Sequence, residues 1–184
     1  MPSPTPACTD WIFDGGFEQD SPAWSSQSVC LPTLWADLAH SGQRSMRVGV
    51  AAGSSSTCYS TIGQAVQVPT GTQSITLTFW YYTVSADSTG DRQYALLQND
   101  PGTATLRTFF NTPMNEQTWA SAQYSLDAYR GQTIRIVFGA YNDGDGQATA
   151  MYVDDVALQA CTPPPPPSYA FLPFILRALA VSGQ

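Results

Sequence analysis

The sequence contains no lysine, one histidine and two glutamates in 184 residues. Its seven cations are all arginine and face fourteen carboxylates, for a formal net charge of −7. Nucleic-acid binders need a basic footprint, so this balance excludes that class. Charged residues make up 11% of the chain, less than half of the roughly 25% usual for soluble domains. Zinc sites are excluded as well: no C-x-x-C pair occurs and no histidine lies near a cysteine in sequence. No Gly-x-Ser-x-Gly is present, and His40 stands alone between Ala39 and Ser41, so a Ser-His-Asp hydrolase is not expected. A glycosidase needs two placed carboxylates, one with a raised pKa. Glu18 near the chain start and Glu116 in a turn before Trp119 do not supply that pair. The chain therefore reads as a non-enzyme.

What remains is a chain of 37 serines and threonines, 14 glycines and 14 prolines, with 12% aromatic and 43% hydrophobic residues. That is too apolar for disorder and suits an all-β, extracellular type of domain. The dominant hydrophobic period is two. Ile75, Leu77, Phe79 and Tyr81 alternate with Thr76, Thr78, Trp80 and Tyr82; Ile134, Ile136 and Phe138 alternate with Arg135, Val137 and Gly139. Tyr94 and Leu96 alternate with Ala95 and Leu97 in the same way. Such alternation marks half-buried strands. Further strands are expected over 45–50, 59–68, 104–110, 119–126 and 151–160, with one helical turn around 127–131. Turn signals separate them at 69–71, 87–90, 99–102 and 142–146. Eight or nine evenly spaced strands predict a two-sheet antiparallel β-sandwich or a barrel.

Four cysteines allow three disulfide connectivities. Cys8 and Cys161 bracket the folded part beside proline-rich segments, so the preferred pairing is Cys8 with Cys161 and Cys30 with Cys58; buried free thiols are the alternative. Residues 1–7 read as a linker remnant without a signal-peptide pattern, 8–161 as the domain and 162–168 as a polyproline II linker. Residues 169–184 form an apolar tail, too short for the roughly 20 residues of a membrane span. The tail reads either as frayed or as one added strand, or as a short sorting or surface-attachment signal. In the second case it is similar to the Pro-linker and Tyr-x-x-Leu-Pro tails of some secreted bacterial proteins.

Several segments combine into a known pattern: Asp14-Gly-Gly-Phe-Glu18, Ser41-Gly-Gln-Arg-Ser-Met-Arg-Val-Gly49, Gln64-Ala-Val-Gln-Val-Pro69, Thr76-Leu-Thr-Phe-Trp-Tyr81, Trp119 with Tyr124-Ser-Leu-Asp-Ala-Tyr-Arg-Gly-Gln132, Ile134-Arg-Ile-Val-Phe138 and Tyr152-Val-Asp-Asp-Val-Ala-Leu158. Over roughly residues 10–161 the chain resembles the jelly-roll domains of the carbohydrate-binding-module and MAM-like group. The resemblance implies two antiparallel sheets with adjacent termini, in agreement with the preferred disulfide pairing. It leaves the ligand open, because such domains bind glycans in some proteins and serve adhesive or spacing roles in others.

Two sites follow as expectations. Asp154 shares a face with Val156 and Leu158, where an ionised carboxylate is costly unless paired or bound to metal. Glu18 follows Gly15 and Gly16, and adjacent first and last strands would bring it to Asp154; two carboxylates together call for a cation. A structural calcium held by Gly16, Glu18, Ser41 and Asp154, with Gln43 and Ser45 as further oxygens, is therefore expected, and related jelly rolls are similar in carrying one at this edge. The alternatives are a salt bridge to Arg44 or Arg47, or an exposed aspartate pair. The 142–146 loop lacks the spacing of a calcium loop and reads as a hairpin turn. For a glycan, Trp80 and Tyr82 with Arg92, Tyr94 and Tyr141 form the expected aromatic platform, on which sugar rings stack; cover by loops is the alternative. Trp24 and Trp35 are alternative ligand contacts, and Trp11 and Trp119 read as core.

The leading expectation is a non-catalytic extracellular glycan-binding module, calcium-stabilised, with a glycan or cell-surface polysaccharide as partner. The competing readings are a structural or adhesive cell-surface module, meeting other chains through its tail, and an accessory C-terminal domain of a secreted hydrolase.

Overall fold

The computed structural model describes residues 6–163 apart from 36 and 54. The polyproline run and the apolar tail, from 164 onward, lie outside the described residues. The strands are β1 (Ala7–Asp10), β2 (Ser25–Ser26), β3 (Thr33–Trp35), β4 (Ser45–Val50), β5 (Cys58–Gln67), β6 (Ser74–Ser85), β7 (Arg92–Asn99), β8 (Thr105–Thr112), β9 (Trp119–Ser125), β10 (Thr133–Asn142) and β11 (Thr149–Thr162). A 3-10 turn at Asp127–Tyr129 stands where the sequence predicts a helical turn. One sheet runs β3-β4-β11-β6-β9 with β1 also on β11; the other runs β2-β5-β10-β7-β8. All pairings are antiparallel. The expected two-sheet sandwich is the observed fold.

The period-two stripes meet between the sheets, where Ile75, Leu77 and Phe79 of β6 and Ile134, Ile136 and Phe138 of β10 are fully buried. Phe79 and Phe138 join the layers edge to face, with ring centroids 4.9 Å apart. Such pairs add about 0.5–1.5 kcal/mol beyond burial alone. Gln93, also fully buried, bridges the sheets: its Nε2 donates to the carbonyls of Val84, Met114 and Ala150, and its Oε1 accepts the Met114 N–H. A buried amide satisfied on every side costs little and fixes the relative position of the layers.

Disulfides Cys8–Cys161 and Cys30–Cys58 are both present, as the sequence favoured. The first staples β1 to β11 at directly opposed positions. The second ties the loop after β2 to the start of β5.

One irregularity positions everything that follows. Along one edge β11 pairs with β4 through Val153 and with β1 from Gln159 onward. Between these stretches its register against β6 slips from Asp154 to Ala157. Asp155 sits there at φ 46°, left-handed for a residue with a side chain. The bulge reverses the alternation, so Val153, Val156 and Leu158 all face the core. This corrects the sequence reading of Asp154: it stands opposite Trp80 on the outer face of its sheet and does not share the core face with Val156 and Leu158.

Candidate functional site

The outer face of the β2-β5-β10-β7-β8 sheet carries a groove of about 440 Å³. Its floor follows from the registers. Gly139 of β10 lies between Thr61 of β5 and Tyr94 of β7. A Cβ on Gly139 would fall 2.3 Å from the Tyr94 ring, so only glycine lets that ring lie across β10. The Tyr94 phenol shares a 2.8 Å hydrogen bond with the Thr61 hydroxyl. Burial pushes this phenol above its ordinary pKa.

One register step along, Tyr141 stands between Tyr59 and Arg92. The Tyr59 and Tyr141 rings are 4.6 Å apart, and Tyr59 is 51% exposed. At the other end Arg135 lies beside Gln98, and Asn111 of β8 completes a wall. Tyrosine faces with amide and hydroxyl rims suit a polyol: the rings take its C–H face and the polar groups its hydroxyls.

Three of the five expected platform residues, Arg92, Tyr94 and Tyr141, line this groove. Trp80 and Tyr82 do not join them. They belong to β6, in the other sheet, so the expectation that the strand bearing Arg92 and Tyr94 adjoins theirs is corrected. β6 and β7 are consecutive in sequence, but the chain crosses from one sheet to the other between them. Trp80 is moreover covered: the His40 ring stacks on it at 3.8 Å and 14°, and meets Trp119 edge-on at 5.6 Å. Tyr82 packs between Trp119 and Tyr152.

The other tryptophans also differ from expectation. Trp24 is 8% exposed and packs on Phe17 and Phe138, so it is core and not a ligand contact. Trp11, expected in the core, is 42% exposed. Trp119 is half-buried on the outer face of its sheet. Trp35 falls on β3, and its side chain lies outside the described residues. Tyr59 and Arg135 are groove residues that sequence reasoning misses; their outward parity is legible, but the partner strand is not.

The second site forms where β11 changes partners. The turn at 14–17 inserts there: Val156 N–H donates to the Gly15 carbonyl, and Trp11 N–H to the Leu158 carbonyl. The loop at 37–44 closes over it. Asp154 is fully buried. Its Oδ2 accepts the N–H groups of His40 and Ser41 at 2.8 and 3.2 Å, and its Oδ1 that of Asp155 at 2.8 Å. Burial nevertheless pushes its pKa up to about 6, outweighing those three donors.

Asp155 receives His40 Nδ1 at 2.5 Å and the Ser41 hydroxyl at 2.6 Å. Glu18 Oε1 accepts the N–H groups of Gln43 and Arg44, which hold this carboxyl below its ordinary pKa. Gly42, at φ 63°, permits that approach, because its Cβ would fall 2.2 Å from Glu18 Oε1. A Cβ on Gly16 would sit 3.8 Å from Asp155 Oδ1 and 4.0 Å from Asp154 Oδ1. The structure thus places Gly16, Glu18, Ser41 and Asp154 in one neighbourhood with Asp155 and His40, without bringing three of their acidic or imidazole ligand atoms within 4.8 Å of one another.

These side chains offer carboxylate and hydroxyl oxygens of the kind a hard cation takes. Asp154 and Asp155 are adjacent carboxylates, and Arg44 pairs with Asp20 at 3.4 Å instead. Asp14 Oδ2, in the inserted turn, is buried without a partner. Asp14, Phe17 and Asp155 all hold left-handed φ values of 46–54°. Strained backbone of this kind concentrates at ligand clamps. A separate cluster, Asp87, Asp143 and Asp145, brings one oxygen from each within 4.8 Å of the others and could also hold a cation. Asp143 and Asp145 belong to the β10–β11 connection, the segment read as a hairpin turn.

No protein-family profile and no curated protein matches the chain. Solved structures do. The chain is similar to the carbohydrate-binding module TmCBM61, solved with β-1,4-galactotriose, at TM-score 0.59 and 15% identity over 82% of this chain and 97% of that one. It is similar to the C-terminal family 22 carbohydrate-binding module of Clostridium thermocellum Xyn10B at TM-score 0.50 and 18% identity, covering 82% and 93%. It also matches 26% of an arabinose-bound α-L-arabinofuranosidase, MgGH51, at TM-score 0.54 and 13% identity over 83% of this chain. At such identities the likeness establishes a shared β-sandwich fold.

Proposed function

We propose that this domain is a non-catalytic carbohydrate-binding module that holds a glycan in the groove of the β2-β5-β10-β7-β8 sheet. The observation carrying the reading is the floor itself: Tyr94 laid over Gly139 beside the exposed Tyr59–Tyr141 pair. The sandwich neighbours, two of them binding modules by name, support it by analogy of fold. Among the described residues that line the groove there is no aspartate, glutamate or histidine, which agrees with a binding role rather than glycoside hydrolysis, a reaction that needs two placed carboxylates. Two disulfides favour an oxidising, extracellular setting. No described helix is long and apolar enough to cross a membrane. The adhesive reading draws on the tail, which lies outside the described residues.

A calcium ion held by Asp154, Asp155 and Glu18, with Ser41 and the backbone around Gly16 as further oxygens, would neutralise the buried carboxylate and lock the 14–17 turn and the 37–44 loop to β11. Its role in this reading is structural, because these residues lie on the opposite sheet from the groove.

Affinity electrophoresis in gels containing soluble xylans, galactans, glucans and pectins tests the binding reading. Retardation by at least one polymer, abolished by Tyr59→Ala with Tyr141→Ala, is expected. Free migration in every gel would refute it.

A further inference from the structure

We propose that the groove selects an acidic polysaccharide, one whose sugars carry uronic acid carboxylates, with Arg92 and Arg135 as the cations that read them. The proposal rests on the glycan-binding reading and narrows it.

The chain has seven arginines and no lysine, yet two of the arginines line this groove, and among the described residues no aspartate or glutamate does. A local excess of positive charge on a chain of net charge −7 runs against its composition. Among the described residues neither arginine pairs with a carboxylate. Arg44 and Arg130 pair with Asp20 and Asp127. Arg92 and Arg135 instead anchor on neutral oxygens. Arg92 Nη1 donates to the carbonyls of Thr89 and Asp91 at 2.7 and 2.8 Å. Arg135 Nη2 donates to the Gly63 and Ser25 carbonyls at 3.3 and 3.4 Å and to the Ser25 hydroxyl.

The nearest carboxylate in sequence to Arg92 is turned away. Asp91 is fully buried, and its oxygens take Asn142 Nδ2 and the Asp143 N–H. Each guanidinium is therefore held by one nitrogen, and among the described residues its remaining donors meet no carboxylate. A preoriented fork with open N–H groups suits a carboxylate, which it can take with two parallel hydrogen bonds.

Their spacing points to a polymer. Arg92 lies level with Tyr141, and Arg135 is six residues back along β10. At strand rise this is about 20 Å. Between the two run the Tyr94–Gly139 floor and, at the Arg92 end, the Tyr59–Tyr141 pair. A chain with repeated carboxylates could engage both arginines while its rings pack on the tyrosines. A single sugar could reach only one.

The test is calorimetric titration with glucuronoxylan and polygalacturonate, each beside its carboxyl-reduced counterpart, at low and high salt. General attraction is no confounder, since a protein of net charge −7 is repelled by a polyanion. At least one uronate polymer should bind, and its reduced form should bind at least tenfold more weakly. Arg92→Gln and Arg135→Gln should each cost about tenfold or more against the acidic polymer and under threefold against any neutral one. High salt should weaken only the acidic case. Equal affinity for a polymer and its reduced form would overturn the acidic selection and leave the glycan reading standing. Binding of neutral polymers alone would do the same. No binding to any polymer, with the fold verified by circular dichroism, would overturn both.

Discussion

The two outer faces of this sandwich use the same side chains to different ends. Both carry aromatic residues at alternate strand positions. On the β2-β5-β10-β7-β8 sheet those positions, Tyr59, Tyr94 and Tyr141, line an open groove beside two arginines. On the opposite sheet Trp80 and Trp119 are covered by the chain's own loop, with His40 on the indole of Trp80 and His40 and Ser41 bonded to the carboxylates at the β11 bulge, while Tyr82 packs between Trp119 and Tyr152. An outward aromatic stripe is thus no binding platform until its cover is known. The bulge turned one face into an anchorage, while a glycine under Tyr94 left the other flat and open.

The largest expected effects come from the staples, one to each sheet. Replacing Cys8 and Cys161 by serine should destabilise the domain by up to about 5 kcal/mol in the chain-entropy model, the bridged residues being 153 apart in sequence. Removing Cys30–Cys58, 28 apart, should cost up to about 3.5 kcal/mol. Only the second should also weaken glycan binding, because Ser25 and Gln27 of the loop it tethers line the groove. Thermal melts and titrations of the two double mutants check both halves.

Next is the carboxylate at the bulge. The Asp154 pKa is raised in the folded protein to about 6 from its ordinary 3.8. Its protonated form therefore stabilises below pH 4, and that contribution is lost as pH rises through 6. In chelator the loss should approach about 3 kcal/mol. The lowered carboxyls of Glu18, Asp87 and Asp127 act oppositely, favouring the fold above pH 4 to 4.5. The metal-free protein should thus melt highest between about pH 4.5 and 6. Calcium should remove the decline above pH 6, adding about 2.7 kcal/mol at a hundredfold excess over Kd. Asp154→Asn should abolish the calcium response, whereas Asp143→Asn should keep it. The reverse pattern would move the ion to the Asp87 cluster.

A smaller effect tests the groove floor. Gly139→Ala should displace the Tyr94 ring and weaken glycan binding more than tenfold, with a modest change in melting temperature. Smallest of all should be the effect of Trp80→Ala on binding, less than twofold. Its cost should appear in stability, at about 1 kcal/mol for the stacked pair with His40 beyond the burial of the indole itself.

How much of this the sequence disclosed can be traced residue by residue. Strand positions were legible because β-branched and aromatic side chains alternate so regularly in β6, β7 and β10. The short strands β1, β2 and β3 carry no such alternation and were missed. Face assignment failed at Asp154 because a bulge inserts a residue without any local sequence mark. Sheet membership failed at Trp80 and Tyr94 because strands consecutive in sequence went to opposite layers across a short connection. Gly16, Glu18, Ser41 and Asp154, expected together, do lie near one another because the first and last strands are adjacent, whereas the acidic cluster of Asp87, Asp143 and Asp145 went unread because its loop looks like a hairpin turn in sequence. His40 reads as a lone residue in sequence, since its stacking on Trp80 depends on a loop path that sequence does not encode locally.

The central claim is that a glycan lies on the tyrosine face and not on the tryptophan face. Backbone and indole N–H shifts recorded by NMR during titration with oligosaccharides of xylan, galactan and polygalacturonate test it most directly. The account predicts that signals of residues 59–63, 92–98 and 135–141 move together, while the Trp80 and Trp119 indoles and the 38–44 amides stay fixed. Movement of those indoles with a silent groove would contradict it.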